Sequence, residues 1–545
     1  MATRKGAIGD ESTVRVAVGG EHDGTDRLTA AEDAAETVGV VAVGPTGADA
    51  LAPLVLATRE GETAFLPGCT AERARAAVEA LEDGSLPDGA VTVGHDPGTT
   101  SLPTPPARTG ESTALGVGSR RALAGCGWRA PTSVADHRAA RDGDLAVESA
   151  ATDPDATHER VETAGLRGRG RGDGSTDAPI SAAWTTAREA DGEPVVVVNG
   201  NEADSSARAD RLLLENAPLA VLDAALATAH AIDATDVVVY VNEDETIARR
   251  RVQEAADALA DDRDLDVPIG VVAGPDAYTA GEMTMALEAI EGNDRLEARR
   301  RPPGPAQYGL HGRPTVIHTP RTFAQIERAL ASEDLGGVPR DPGTRLFTVT
   351  GDVDAPATIE LSTDATLDDA RGAVALDGGF KTACVGGRFG GLARDLDVPA
   401  SASGLRGARL GTNGVIELFR PFAAGDASPA VLLAREFRAP AGESTCTVAL
   451  AGRRAKLARE ENCGRCVPCR EGSKQLVDLL RDVYDGEYQA GMLRELARTM
   501  RETSTCEFGE EASRPVTTAM DAFEPEFRAH ADGRCPSDTC DGLST

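Results

Sequence analysis

The chain has 545 residues, too many for one core and enough for roughly three to five domains. Hydrophobic residues make up 41% but aromatics only 3%, so aliphatic and alanine packing must fill those cores. Asp and Glu number 88 against 56 Lys and Arg, a net charge of −32 that argues against a nucleic-acid surface. Lysine is confined to Lys5, Lys381, Lys456 and Lys474, the acidic, lysine-poor signature of extreme halophiles, where salt screens self-repulsion. No stretch approaches the roughly 18 to 20 apolar residues that cross a bilayer. The opening MATRKGAIGDESTVRVAV has no apolar segment of a secretory signal, so a soluble cytoplasmic chain is expected.

From about Thr13 to Gly94 the short strands VRVAV and VVAV alternate with the helical stretches AAEDAAETV and AERARAAVEALEDG. The Pro/Gly/Ser/Thr-rich VGHDPGTTSLPTPPARTGEST reads as a linker, and the acidic SAATDPDATHER as a surface loop. The middle of the chain repeats a strand–helix rhythm. PVVVV, DVVVYV and PIGVVAG are buried strands, with helices from Pro218 and from about Thr246 between them. Such runs imply a parallel sheet covered on both faces. From Gly343 the strands LFTVTGDV and ATIELS and a helix at TLDDARGAV suggest a small α+β module, and beyond about Glu443 the chain is mostly helical.

Two motifs carry chemistry. In GLRGRGRGDG, alternating glycines let backbone N–H groups approach a phosphate, and Arg167, Arg169 and Arg171 add charge. It is not the dinucleotide fingerprint, and a flexible arginine-rich loop or an RNA-contacting tract are its other readings. ENCGRCVPCREG then places Cys463, Cys466 and Cys469 in a C-x2-C-x2-C run, with Cys506 remote in TSTCEFGEE. Three thiolates at this spacing can take three corners of a [4Fe–4S] cubane and the distant cysteine the fourth, with Pro468 keeping the loop from becoming helix. Structural zinc, the alternative, usually uses two separated C-x2-C knuckles, which are lacking here. Stripes at Leu476, Leu479, Leu480 and Val483, at Leu493, Leu496, Ala497 and Met500, and at Val516, Ala519, Met520, Phe523 and Phe527 are the core of a helical bundle around the cluster. Cys69, Cys126, Cys384 and Cys446 read as small buried hydrophobes. Cys535 and Cys540, in RCPSDTC, read as free thiols, with metal binding the lesser alternative.

The block ENCGRCVPCREG with TSTCEFGEEASRPVTTAMDAFEPEFRAH resembles the NADH-binding, flavin- and iron–sulfur-carrying F subunit of respiratory complex I and its relatives in NAD-linked hydrogenases and formate dehydrogenases. Upstream, RRALAGCGWRAPTSVADH is similar to the family's entry into its flavin domain, and GLRGRGRGDG stands at its glycine-rich flavin loop. NGNEADSSARADRLLLENAP matches an acidic nucleotide-side segment, keeping Asn199, Glu202, Asp210 and Arg211, and AYTAGEMTMALEAIEG keeps Gly281, Glu282 and Thr284. The departures are specific. The family loop reads approximately GRGGAGFPTG followed by Lys-Trp; here Gly168 to Ser175 lack the aromatic, an arginine replaces a glycine, and Ala183-Trp184 stand at the Lys-Trp pair. Asn201 replaces an aspartate, Met283 a glutamate, and His318-Thr319 an asparagine pair.

The resemblance implies a multidomain α/β protein. It would have a degenerate thioredoxin-like domain over 12–98 without [2Fe–2S] cysteines, a linker over 99–115 and a Rossmann-like flavin/NADH domain over 116–335. A β-grasp (soluble-ligand-binding-like) domain over 340–435, a helical 4Fe–4S domain over 443–532 and a tail over 533–545 would follow. It implies an NADH dehydrogenase (quinone)-type oxidoreductase passing electrons from NADH through FMN to the cluster. FMN and NAD(H) would contact Gly168, Arg169, Gly170, Gly172, Asn199, Asn201, Glu202, Gly281, Glu282 and Thr319, with metal ligands Cys463, Cys466, Cys469 and Cys506; no catalytic side chain is assigned. Partners would be other redox subunits, among them a [2Fe–2S] thioredoxin-like one, at most peripheral to a membrane complex. The alternatives are a flavin-less iron–sulfur carrier or structural component of a redox complex, and a zinc-stabilised scaffold.

Overall fold

The computed structural model describes residues 8, 12–21, 23–105, 114–173, 178–202, 204–331, 334–376, 379–421, 446–540 and 543. Parts of the expected linker, of the loop at Gly174 and Ser175, of the 340–435 module and of the tail lie outside these residues.

The N-terminal unit comprises β1 (Thr13–Ala17), α1 (Thr25–Ala34), β2 (Gly39–Val43), β3 (Val55–Arg59), β4 (Glu62–Leu66), α2 (Ala71–Glu82) and β5 (Val91–Gly94). The sheet runs β2-β1-β3-β4-β5, with β1 parallel to β2 and the other pairs antiparallel. Three strands beyond the two expected thus complete it. Glu60 (φ 50) and Gly61 (φ 76) form the two-residue turn that the right-handed twist of a hairpin favours. The Thr70 side chain accepts from Arg73 N at 3.3 Å and starts α2, which buries Ala74, Ala77, Val78 and Leu81 on Val14, Val16 and Val55.

Helices α3 (Val134–Arg141), α4 (Ala146–Thr152), α5 (Pro154–Ala164) and α6 (Ser181–Glu189) lead into the central sheet. SAATDPDATHER is therefore not a surface loop. Asp153 accepts from Ala156 N at 3.0 Å, and Pro154 occupies the first turn of α5, so the apparent breakers are a helix start. Next come β6 (Val195–Gly200), α7 (Ala209–Asn216), α8 (Pro218–Ile232), β7 (Asp236–Asn242), α9 (Thr246–Asp262), β8 (Ile269–Gly274), α10 (Met283–Ile290), β9 (Thr315–His318) and α11 (Pro320–Ala331). The sheet is wholly parallel in the order β8-β7-β6-β9, as the apolar runs require. Its order reverses at β6, so a crevice opens beyond the carboxyl ends of β6 and β9, at Asn199 and His318. Among the described residues no single helix is long and apolar enough to cross a membrane. The apolar α7–α8 pair is bent by 96° and packed into this core.

A two-residue ladder, β10 (Gly337–Val338) with β11 (Asp341–Pro342), precedes a mixed sheet of β12 (Thr344–Gly351), β13 (Ala357–Ser362), β14 (Thr382–Val385), β15 (Gly391–Ala393) and, after α12 (Ala402–Gly407), β16 (Val415–Phe419). Its order is β13-β12-β16-β14-β15. TLDDARGAV forms a 3-10 helix over Leu367–Ala373 rather than an α-helix. The C-terminal bundle consists of α13 (Thr447–Glu461), α14 (Val467–Tyr484), α15 (Ala490–Thr503), α16 (Glu507–Glu511) and α17 (Arg514–Ala531). The predicted stripes are buried there, apart from a half-buried Leu496.

A four-thiol cavity beside a closed glycine loop

At the end of α13, Asn462 Nδ2 donates to the carbonyls of Ala458 and Arg459 at 2.9 Å, and its Oδ1 accepts from Gly464 N at 3.1 Å. Gly464 takes a positive φ of 75°, which turns the chain sharply between Cys463 and Cys466. Cys466 caps α14 and Cys469 lies within its first turn, beside Pro468. Pro468 therefore starts a helix instead of preventing one, since a first-turn proline has no N–H to waste. Cys506, at the N-cap of α16, completes the set. All four cysteines line one cavity, closed by Met285, Ala298, Thr505 and Phe508.

Burial and the neighbouring sulfurs push the Cys469 thiol well up, and burial with Glu282 pushes Cys506 up to about 12. Burial also opposes ionisation of Cys466, but hydrogen bonds from Thr505 and Cys469 outweigh it and hold that thiol below its usual range. Converging sulfurs of this kind ionise together only around a cation, so this donor set fits an iron–sulfur cluster.

The expected flavin residues come together at the β6–β9 crevice. Asn199 lies at the end of β6 and Asn201 follows it, Gly281 and Glu282 precede α10, and Thr319 follows β9. Asn199 Nδ2 ties the glycine loop to this group, donating to Gly281 O at 3.1 Å and Gly172 O at 3.3 Å. Gly172 has φ 84°, and a Cβ there would stand 2.2 Å from Gly281 O, so the loop approaches as closely as a glycine permits. Glu202 sits apart. Its carboxylate accepts from the N–H groups of Ala209, Asp210 and Arg211 at 2.9–3.1 Å and so starts α7. Burial and the adjacent Asp210 push its carboxyl upward.

Two loop residues behave differently from expectation. The Arg169 guanidinium does not add free charge to the loop: it pairs with Asp341 at 2.5 Å and also donates to Pro342 O. The nest of N–H groups is taken by Asp173, whose Oδ2 accepts from Arg169 N and Gly170 N at 3.1 Å, Thr319 Oγ1 at 2.8 Å and Thr322 Oγ1 at 2.7 Å. Trp184 Nε1 can only donate, and it does so to His318 Nε2 at 3.2 Å. The His318 proton is therefore on Nδ1, which donates to Asp173 Oδ1 at 2.9 Å. Burial opposes the ionised form of Asp173, yet His318 and the two threonines together hold its carboxyl below the usual range.

Arg171, which replaces a family glycine, stacks its guanidinium 3.9 Å from the Tyr278 ring centroid and donates to Tyr278 O at 2.6 Å. Its Nε and Nη2, Asn199 Oδ1 and Glu282 Oε1 are buried without hydrogen-bond partners. Such orphaned donors and acceptors around one crevice fit a polar ligand that carries both anionic or carbonyl oxygens and N–H or O–H donors, as FMN does. Tyr278 in turn meets Phe508 at 5.8 Å and Phe389 at 5.0 Å, so a single aromatic layer separates the loop from the four-thiol cavity. Sequence reasoning missed Asp173, Tyr278 and Phe508. The only signal for them was an acid inside a glycine tract and two aromatics in an aromatic-poor chain.

Residues 449–530 match the family described as the NADH-ubiquinone oxidoreductase-F iron-sulfur binding region, and residues 161–328 match the Nuo51 FMN-binding domain. The F subunit of NADH-quinone oxidoreductase in Streptomyces coelicolor is 30% identical over 419 residues, covering 71% of this chain and 85% of that one. The NADP-reducing hydrogenase subunit HndC of Solidesulfovibrio fructosivorans is 28% identical and covers 81% and 88%. Among solved structures, a chain of the NAD+-reducing [NiFe]-hydrogenase in the H2-reduced state superposes with a TM-score of 0.61 at 23% identity, over 96% of this chain and 86% of that one; this likeness concerns the fold. The four-thiol cavity and the crevice both lie within these matches, and the chain belongs to the family of NADH-quinone oxidoreductase F subunits.

Proposed function

We infer that this chain is the electron-entry component of a larger redox assembly, an oxidoreductase that oxidises NADH and delivers single electrons to its [4Fe–4S] cluster. The observation that carries this reading is an adjacency. Arg171 and Glu282 on the flavin side and Phe508 and Cys506 on the cluster side meet across one aromatic layer. FMN, when bound, converts a hydride pair into electrons that leave one at a time.

The chain supplies position and polarity. Asn199, Arg171 and Glu282 offer the unpaired atoms that would orient the flavin, and Gly170, Gly172 and Gly281 let the loop pack tightly against Arg321, Gly281 and Asn201 beside it. Asn201 and Thr319 flank them, and Gly168 closes the loop through Arg345, which donates to its carbonyl at 3.3 Å. Glu202 would act through the start of α7 rather than by contact. Cys463, Cys466, Cys469 and Cys506 would hold the cluster, with Phe508 and Met285 excluding water from it.

The N-terminal βαβ–hairpin unit reads as a thioredoxin-like domain that has lost its cluster, its one cysteine, Cys69, being buried. The mixed sheet after Gly343 reads as the β-grasp module. Partners would be further redox subunits, as in the complexes that relatives belong to, including a [2Fe–2S] carrier.

The test is anaerobic purification, incubation with FMN and addition of NADH. Flavin absorbance, reduction of an artificial acceptor such as ferricyanide, and a reduced-cluster EPR signal are expected. Protein that gains neither flavin nor NADH-dependent reduction overturns the reading. One observation favours a second one: Asp173 places a carboxylate where a flavin phosphate would seek N–H donors. Iron and sulfide at about four per chain with no flavin after the incubation would then select a flavin-less carrier.

A further inference from the structure

A second set of metal-ligand side chains converges away from the cluster. Cys446 caps α13, His530 lies in the last turn of α17, and Cys535 and Cys540 lie on the turns that follow. Their four ligand atoms all fall within 4.8 Å of one another, and all four residues are buried. His530 Nε2 stands 3.2 Å from Cys446 Sγ and 3.6 Å from Cys540 Sγ. A zinc ion with bonds of about 2.0–2.3 Å holds its tetrahedral ligands at just such separations, between about 3 and 4 Å. A cubane spreads its thiolates more widely, so the two cysteine sets suit different ions.

Two further features belong to a metal site. His530 Nδ1 donates to Glu526 O at 2.7 Å, which fixes the tautomer and leaves the Nε2 lone pair facing the sulfurs. Arg453 is within electrostatic reach of Cys446 and Cys540, and its Nη1 is buried with no hydrogen-bond partner. A divalent ion with three thiolates and one neutral imidazole carries one net negative charge, which the half-buried Arg453 balances.

We propose that Cys446, His530, Cys535 and Cys540 bind one structural zinc ion, separate from the iron–sulfur ligands. Three thiolates with an imidazole select zinc over hard cations, and four protein ligands close its shell against water and substrate. Loading replaces three thiol protons, which pass to solvent. The ion joins the first residue before the bundle to the turns after it. Lys381 extends this staple: its Nζ pairs with Glu526 at 2.9 Å and donates to Ser537 Oγ at 3.0 Å, so the same turn is held to the strand edge at β14. The turns over 532–540, which contain little regular structure, are thereby fixed against α17.

Metal analysis of the full chain, purified without chelator from zinc-supplemented cells, should give about one zinc beside about four iron. X-ray absorption at the zinc edge should report three sulfurs and one nitrogen. The double substitution Cys535→Ser/Cys540→Ser should drop zinc to below about a tenth per chain with iron retained, whereas Cys506→Ser should lose iron and keep zinc. No zinc in the wild-type protein, a shell without sulfur, or zinc undiminished in the double variant each overturns the proposal. The wild-type count and its absorption edge need no variant to fold, and neither depends on flavin or NADH.

Discussion

A glycine loop binds a phosphate through its backbone N–H groups, and here two of them, on Arg169 and Gly170, already donate to Asp173. The positive charge left for a ligand resides on Arg171, with two buried nitrogens unpaired. A hydrogen bond to a charged group contributes about 1.5–3 kcal/mol, so Arg171→Leu should weaken FMN binding by roughly tenfold or more. Fluorescence-quench titration measures it, and an unchanged Kd would remove Arg171 from the site. Asp173 makes its own prediction. Its carboxyl is held below the ordinary range in the folded chain, so its contribution is complete above the unfolded value and fades as pH falls through the folded one. Asp173→Asn should therefore cost about 1–3 kcal/mol at neutral pH, and the gap from wild type should begin to narrow as pH falls below about 4. A gap as wide at pH 3 as at pH 7 would mean that the fold does not hold the Asp173 carboxyl below its unfolded value. The buried pair of Asp210 with Arg321, bidentate at 3.0 and 2.7 Å, marks a different kind of residue. It joins α7 to α11 under the crevice, and Arg321→Met, by stranding the carboxylate, should cost about 3–5 kcal/mol in denaturant unfolding.

Helix α14 presents Cys469 to the four-thiol cavity from its first turn, and one turn on, Gly472 sets how closely α15 can pack. A Cβ at Gly472 would lie 2.6 Å from Met500 Cγ. Gly472→Val should thus destabilise the bundle by about 1–3 kcal/mol and lower the iron retained on purification, which colorimetric iron analysis would read. Unaltered iron and stability would show that Met500 simply moves aside. The elements themselves differed in how much their sequence disclosed. The parallel strands announced themselves as apolar runs because both faces of β6 and β7 meet core, and Cys463, Cys466 and Cys469 because one tight turn and one helix start bring them together within seven residues. Helices α4 and α5 did not, because Asp153-Pro154 serves equally as a breaker and as a cap. The strands β3 and β4 were disguised by a Glu-Gly turn that is weaker than Asn-Gly as a signal. The contact of Arg171 with Tyr278 joins residues 107 apart, and Cys446 meets His530 across 84. No local pattern encodes such pairs, although the regular spacing of His530, Cys535 and Cys540 was a legible hint.

At the scale of the whole molecule the dominant unbalanced quantity is charge. Among the described residues nine carboxylates and five guanidiniums are buried, so most of their negative excess lies on partly or fully exposed side chains. Like charges repel more in the compact state than in the open chain, and the penalty depends on how far each field reaches. The screening length is about 10 Å at 0.1 M salt, comparable to the spacing between neighbouring side chains, and about 3 Å at 1 M. Raising KCl from 0.1 to 2 M should therefore raise the unfolding temperature by several degrees at pH 7, and NaCl should match it at equal ionic strength. The effect should vanish near the sequence pI of about 4.7, where the net charge that salt screens is gone. The same measurement separates screening from salting-out: the latter acts on apolar surface and would persist at that pH. A melting temperature indifferent to salt at pH 7 would mean that the acidic surface is compensated by local ion pairs such as those of Arg498 with Glu495 and Glu502, and that halophilic adaptation is not its cause.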